Sequence, residues 1–247
     1  MPFATNGSVK LHYQVSGNPA GPPLVLHHGF TQNLYSWHMR GYAKALGDRF
    51  RLVLLDARGH GQSDKPHDAG AYGMGDRVND VLTILDDLKI KQTHFFGYSM
   101  GGRIGFALAQ SAPERLGRLI LGGAHPGPGD LTAFQGIDGT DPTAFIAAFE
   151  ALIGESLSPL AQEFIKANDL IALAASVQSH SNLVSDVSPL DLPMLLFAGE
   201  RDRRLAKIQA AAQQLPNAKF ELLEGVNHVE AIARSSQLLP FIQAFLA

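Results

Sequence analysis

The 247-residue chain contains no cysteine, so disulfides, thiolate-held metals and a cysteine nucleophile are excluded. No apolar run approaches the roughly 20 residues of a membrane span. The N-terminus, MPFATNGSVK, has no basic stretch leading into an apolar one; no secretory leader is expected, and a cytoplasmic location is the default. No block of like charge is present either. With 20 Lys and Arg against 23 Asp and Glu, the net charge is −3, which argues against nucleic acid or an anionic membrane as partner. The sequence has no H-E-x-x-H and no paired histidine–carboxylate ligand set. GYSMGGR lacks the lysine followed by Ser or Thr of a phosphate loop, and neither GHGQSD nor GYSMGG fits G-x-G-x-x-G. No metal and no cofactor are expected.

What the chain does have is alternation of strand and helix. Apolar or amphipathic strands are read at Ser8–Val15, Pro23–His28, Arg51–Leu55, Thr93–Phe96, Arg115–Leu121, Leu195–Gly199 and Phe220–Leu223. Helices are read at Asn33–Leu46, with Tyr35, Trp37, Tyr42 and Leu46 on the buried side, and at Met74–Leu88, where Val78, Val81, Leu82, Leu85 and Leu88 recur at helical spacing. Further helices follow Ser99 and run over Leu205–Leu215 and Ser235–Phe245. The pattern predicts an α/β fold with a mostly parallel central sheet covered by helices on both faces.

Residues 126–189 interrupt it. They open on a Gly/Pro-rich entry (HPGPGD) and read as helical at Pro142–Ile153, Pro159–Asn168 and Leu170–Gln178, with no strand. This segment is expected to be a small helical cap inserted after the core strand at Arg115–Leu121, with residues 1–125 and 190–247 forming the core. Phe145, Phe149, Leu152 and Ile153 are its inner face, either as its own packing or as pocket lining. No cluster of Arg or Lys in the cap demands a charged substrate.

The stretch HFFGYSMGGR carries the chemistry. Gly97-Tyr98-Ser99-Met100-Gly101 fits G-x-S-x-G between a strand and a helix, where a sharp turn lifts the serine hydroxyl clear of the backbone and leaves no room for a Cβ two residues to either side. A base and an acid are then required. Gly199-Glu200-Arg201-Asp202 follows one strand and Gly225-Val226-Asn227-His228 the next, and loops at the C-terminal ends of parallel strands share one edge of the sheet. The order Ser99, Asp202, His228 is the one expected for a nucleophile on such an elbow. Glu200, Glu224 and Glu230 are read as solvated charges or local ion-pair partners, and Arg58 and Asp64 as braces of the DARGHGQSD loop.

These motifs together, with the HGF turn at His28–Phe30, resemble the α/β-hydrolase family in its serine esterase-like branch. The resemblance covers nearly the whole chain outside the cap. It implies Ser99 as nucleophile, His228 as general base and then acid, and Asp202 as the group that orients it. The backbone N–H groups of Phe30 and Met100 are expected to form the oxyanion hole, with His28 bracing that turn. Phe30, Trp37 and Met100 are the expected substrate-binding residues of a modest apolar pocket. A serine at position 99 excludes the carboxylate nucleophile of dehalogenases and epoxide hydrolases of this fold. Hydrolysis of small to medium carboxylic esters through an acyl-enzyme is the leading expectation. Lactones, thioesters, carbon–carbon cleavage and cofactor-free perhydrolysis run on related triads, and a ligand receptor of the same fold is the alternative outside catalysis. The expected partner is a small ester or lactone, and the expected assembly a monomer or homodimer.

Overall fold

The computed structural model describes residues 2–178 and 190–247; the last part of the expected cap, 179–189, lies outside the described residues. Eight strands form one sheet: β1 (Phe3–Asn6), β2 (Val9–Gly17), β3 (Pro23–His27), β4 (Arg51–Leu55), β5 (Thr93–Tyr98), β6 (Leu116–Gly122), β7 (Met194–Gly199) and β8 (Ala218–Leu223). Their order is β1-β2-β4-β3-β5-β6-β7-β8. β2 pairs antiparallel with both β1 and β4, and every pairing from β4 through β8 is parallel. The chain leaves β3 for β4 on one side and later enters β5 on the other. That reversal opens a crevice beyond the C-terminal ends of β3 and β5, where parallel sheets hold their ligands.

Alternating side chains bind helices to both faces. Val25, Val53, Phe95, Leu119, Leu121 and Leu196 belong to one packed layer, which includes residues of α3 (Met74–Asp87), α4 (Met100–Ser111) and α8 (Leu205–Gln214). Their sequence neighbours Leu24, Leu26, Leu54, Phe96, Ile120 and Phe197 pack on the other face, against α1 (Tyr35–Met39), α2 (Tyr42–Gly47), α9 (His228–Ala233) and α10 (Ser235–Leu246). A strand buried on both faces has no polar side, so these strands are continuously apolar. Among the described residues no helix is long and apolar enough to cross a membrane.

The segment after β6 carries α5 (Pro142–Ile153), α6 (Pro159–Lys166) and α7 (Leu170–Gln178). Local chemistry starts and stops these helices. Asp141 accepts from the N–H groups of Thr143 and Ala144 with Pro142 at the first helical position, and Ser158 does the same for Ala161 ahead of α6. Gly154 ends α5 at φ 82°, a conformation that favours glycine. Phe145, Phe149, Ile153, Ile165, Leu170 and Leu173 then pack into a third apolar cluster, separate from the two sheet layers, and Phe30 from the loop after β3 leans against it.

Three readings of the sequence need correction. The helix expected over Asn33–Leu46 is two short ones, because Gly41 takes φ 80° between α1 and α2 and turns the chain; Tyr35, expected to be buried, is 42 % exposed. Strand β1 was not anticipated, being four residues long with only Ala4 buried. Nor was α9, although Asn227 and Glu230 form a reciprocal capping box at its start.

The loop after β4 is held by charge. Asp56 accepts from the backbone N–H groups of Leu34 and Gln62 and meets His12 Nδ1 at 2.7 Å. Asp64 accepts from the Lys10 N–H at 2.7 Å, and Arg58 forms two 2.6 Å bonds to Asp80 on α3, with both side chains buried. Replacing Asp80 with Asn leaves the Arg58 cation buried without a counter-charge. The expected cost is about 3 to 5 kcal/mol of folding stability, read from urea unfolding midpoints at constant slope; a loss under about 1 kcal/mol would show that the pair does not hold the loop.

Candidate active site

β5 delivers Tyr98 to the sheet edge, and α4 begins at Met100, leaving Ser99 to make the whole turn alone at φ 52°, ψ −107°. This is a strained conformation for a residue with a Cβ. It persists because the surroundings over-determine it. Ser99 N–H donates to the Gly122 carbonyl at 2.8 Å, and its own carbonyl accepts from Arg103 N–H at 3.0 Å. A Cβ on Gly97 would run into the Gly101 backbone, and one on Gly101 into the His27 carbonyl. The two glycines of the pentad are thus required by close approach, as expected.

The three predicted polar residues, 103 and 26 positions apart along the chain, meet at this turn. Ser99 Oγ lies 3.0 Å from His228 Nε2, and His228 Nδ1 lies 2.6 Å from Asp202 Oδ2. With Nδ1 facing a carboxylate, the neutral ring carries its proton there and leaves Nε2 to accept from the serine. Asp202 sits in the loop after β7, and its other oxygen accepts from Arg204 N–H at 2.9 Å. Burial pushes the Asp202 carboxyl up, but the His228 and Arg204 interactions outweigh it and hold it below the ordinary range. His228 is lowered from 6.5: burial disfavours the imidazolium, Arg204 adds to that, and Asp202 offsets only part. The ring stacks on Tyr98 at 5.3 Å, and the Tyr98 hydroxyl donates to the His228 carbonyl. Asn227, which caps α9, also donates to Glu155 just beyond α5.

The loop after β3 closes the other side. His28 Nε2 accepts from Ala57 N–H at 3.1 Å, so Nδ1 carries the proton and donates to the Gly29 carbonyl at 2.8 Å. Burial keeps this ring neutral. It braces the turn, as expected. Thr31 is forced to φ 64°, uncommon for a β-branched residue. Among the described residues the N–H groups of Phe30 and Met100 have no carbonyl partner. Met100, as the first residue of α4, has no intrahelical acceptor.

Ser99 stands between two cavities. One, about 320 Å³, is bounded by Met100, Arg103, His125, Leu131 and Arg204; the other, about 620 Å³, is a groove walled by Tyr98, Phe149, Leu152, Ile153, Leu157 and Phe164. Phe30 lines both, and Met100 the first. Trp37 borders the groove but is 2 % exposed, its ring packed 4.7 Å from Phe96 as part of the core. Phe149 and Leu152 serve as lining while Phe145 is fully buried packing, so the inner face of α5 does both jobs. The charge of the first cavity was not anticipated. The expected cap contributes no arginine to it; Arg103 comes from α4, and Arg203, Arg204 and Lys207 from the end of β7 through α8. The one signal in the sequence was Arg103 itself, a charged residue on an otherwise small and apolar helix, one turn after the serine.

The chain belongs to the alpha/beta hydrolase fold family, whose model matches residues 22–149. It is 30% identical over 257 residues to a Bacillus subtilis (strain 168) protein named "Putative 2-succinyl-6-hydroxy-2,4-cyclohexadiene-1-carboxylate synthase", covering 93% of this chain and 92% of that one. It is 29% identical to the pimeloyl-[acyl-carrier protein] methyl ester esterase of Aeromonas hydrophila, over 92% of this chain and 96% of the relative. Among solved structures, the enol-lactonase from Burkholderia xenovorans LB400 superposes with a TM-score of 0.87 at 25% identity, over 99% of both chains.

The close approach at the elbow gives a direct test. Gly97→Ala must displace the Gly101 backbone at the start of α4, and the expected loss is about 3 kcal/mol or more of folding stability. Gly75→Ala, where a Cβ meets nothing within 4 Å, is the control and should stay within about 1 kcal/mol of the parent in the same urea titration.

Proposed function

We propose that this hydrolase cleaves carboxylic esters through an acyl-enzyme on Ser99, with His228 as general base and acid and Asp202 orienting it. The observation that carries this reading is the unbroken hydrogen-bonded chain from Ser99 Oγ through His228 to Asp202, at the junction of two cavities. The reading also takes residues 1–125 and 190–247 as the catalytic core and 126–189 as a cap that roofs the groove with Phe149, Leu157 and Phe164.

The steps follow from the geometry. As Ser99 Oγ bonds to the ester carbonyl carbon, its proton passes to His228 Nε2, and Asp202 stabilises the imidazolium across the short Nδ1 bond. The carbonyl oxygen becomes an oxyanion, which the free N–H groups of Phe30 and Met100 receive. Collapse breaks the carbon–oxygen bond to the alcohol, which takes the proton from Nε2 as it leaves. Water then attacks the acyl carbon, gives a proton to the same nitrogen, and the proton returns to Ser99 as the acid departs. A lactone follows the same sequence with its alcohol still tethered. Relatives named as an ester esterase and an enol-lactonase fall within this chemistry.

Turnover of p-nitrophenyl esters of graded acyl length should be saturable, and Ser99→Ala should lower kcat/KM by about 10⁴ or more, Asp202→Asn by roughly 10⁴. Labelling of Ser99 by a fluorophosphonate, absent in Ser99→Ala, is the second readout; a folded parent with neither turnover nor labelling overturns the proposal. The pH profile is constrained as well. His228 must be neutral to accept the proton, and its folded value lies below 6.5, so kcat/KM should hold as pH falls through 6.5 and reach half only below it. A midpoint at or above 6.5 would assign the limb to another group.

A further inference from the structure

The smaller cavity beside Ser99 is walled by several cations, and among the described residues one of them, Arg103, has no carboxylate partner. Arg103 projects from α4 one turn beyond the serine, and its Nη1 donates to the Gly127 carbonyl at 3.1 Å. Its Nε and Nη2 are out of reach of solvent and have no hydrogen-bond partner among the described residues. Leaving two donors of one guanidinium dry and unpaired is costly unless something else fills the place. Those two N–H groups lie side by side on one edge of a planar group, the fork that a carboxylate's two oxygens accept together. Among the described residues nothing charged in the cavity wall competes for them. Asp130, the one carboxylate among the lining residues, is exposed and occupied by the Thr132 N–H and hydroxyl. Arg204 leans on Asp202, and Lys207, exposed at the rim, forms no ion pair among the described residues. His125 is pushed down to about 4 by burial and by the charges of Arg103, Lys207 and Arg204, so it is neutral at pH 7 and adds no charge of its own. The groove on the opposite side of Ser99 is mostly apolar, with Phe30, Phe149, Leu157, Phe164 and Ile232 on its walls, although Arg40, which donates to Gln32, and Arg204 also border it.

We propose that the cavity beside Ser99 is a carboxylate subsite, and that the substrate is an ester bearing a free carboxylate held by Arg103, with its apolar portion in the groove across the serine. This rests on the serine hydrolase reading above. It goes beyond the sequence reading that no cluster of Arg or Lys in the cap demands a charged substrate; that reading considered only the cap, where 131–178 contain no arginine and the single lysine, Lys166, pairs with Glu163.

The test uses two matched pairs of esters. p-Nitrophenyl hydrogen glutarate against p-nitrophenyl pentanoate places the carboxylate on the acyl part; 4-acetoxybenzoate against its methyl ester places it on the alcohol part. In the parent, the anionic member of one pair should be preferred by about tenfold or more in kcat/KM, and the pair that responds identifies the side. The preference should vanish in Arg103→Met and survive in part in Arg103→Lys, which keeps the charge and loses the fork. Because each value is a ratio within one variant, a general loss of stability cancels. No anionic preference in either pair, or one that survives Arg103→Met, overturns the subsite while leaving the hydrolase reading intact. A readout without turnover is protection of Ser99 from fluorophosphonate: free glutarate should slow labelling of the parent and not of Arg103→Met, and an absence of protection also overturns the proposal. Failure of Ser99 to label at all is the separate failure of the hydrolase reading.

Discussion

The left-handed turn at Ser99 is the constraint on which the rest of the molecule depends. A serine at φ 52° costs on the order of 1 to 3 kcal/mol, and no local interaction offsets it. The offset comes from the sheet. β5 is fixed between β3 and β6, α4 lies on one face of the same strands, and the two glycines bring helix and strand to backbone contact. A neighbouring strand supplies the acceptor for the Ser99 N–H as well. The core is therefore continuous with the site. Phe95 and Phe96, buried on opposite faces, anchor the strand whose next residues form the elbow.

Once that turn is set, the parallel strands bring the remaining groups to it. β3, β5, β7 and β8 all end on the same edge, so the loops carrying Phe30, Ser99, Asp202 and His228 are neighbours in space although scattered in sequence. Burial then sets the protonation states. His28 and His228 are both kept neutral, one to brace a turn with a defined tautomer and the other to present Nε2 to the serine. The same burial leaves Arg103 with two donors that no described residue meets, in a low-dielectric environment where a hydrogen bond counts for more.

The helices after β6 contribute shape. Their apolar cluster packs on Phe30, which touches both that cluster and the cavities, so the wall of the groove and the turn after β3 share a side chain. Glu155, reached by Asn227, links the same segment to the cap of α9 and hence to His228.

Much of this is legible in the sequence. The apolar runs and their alternation with amphipathic helices identified the sheet, because strands buried on both faces cannot hide their composition. G-x-S-x-G, with Asp202 and His228 after the last two strands, identified the polar chain, because steric exclusion at a tight turn and the shared edge of a parallel sheet are properties that short motifs report. Boundaries set by single backbone angles escaped: Gly41 splits one expected helix into two, and β1 is too short to show a period. What only the tertiary structure decided is which surfaces face one another. Arg103 lies on α4, and Arg204 and Lys207 lie just before and within α8, about a hundred residues further on; neither segment alone tells whether its cations meet solvent, a carboxylate or a cavity. Sequence records the residue types and the local period, whereas the neutralisation of a charge depends on neighbours that folding alone brings within a few ångströms.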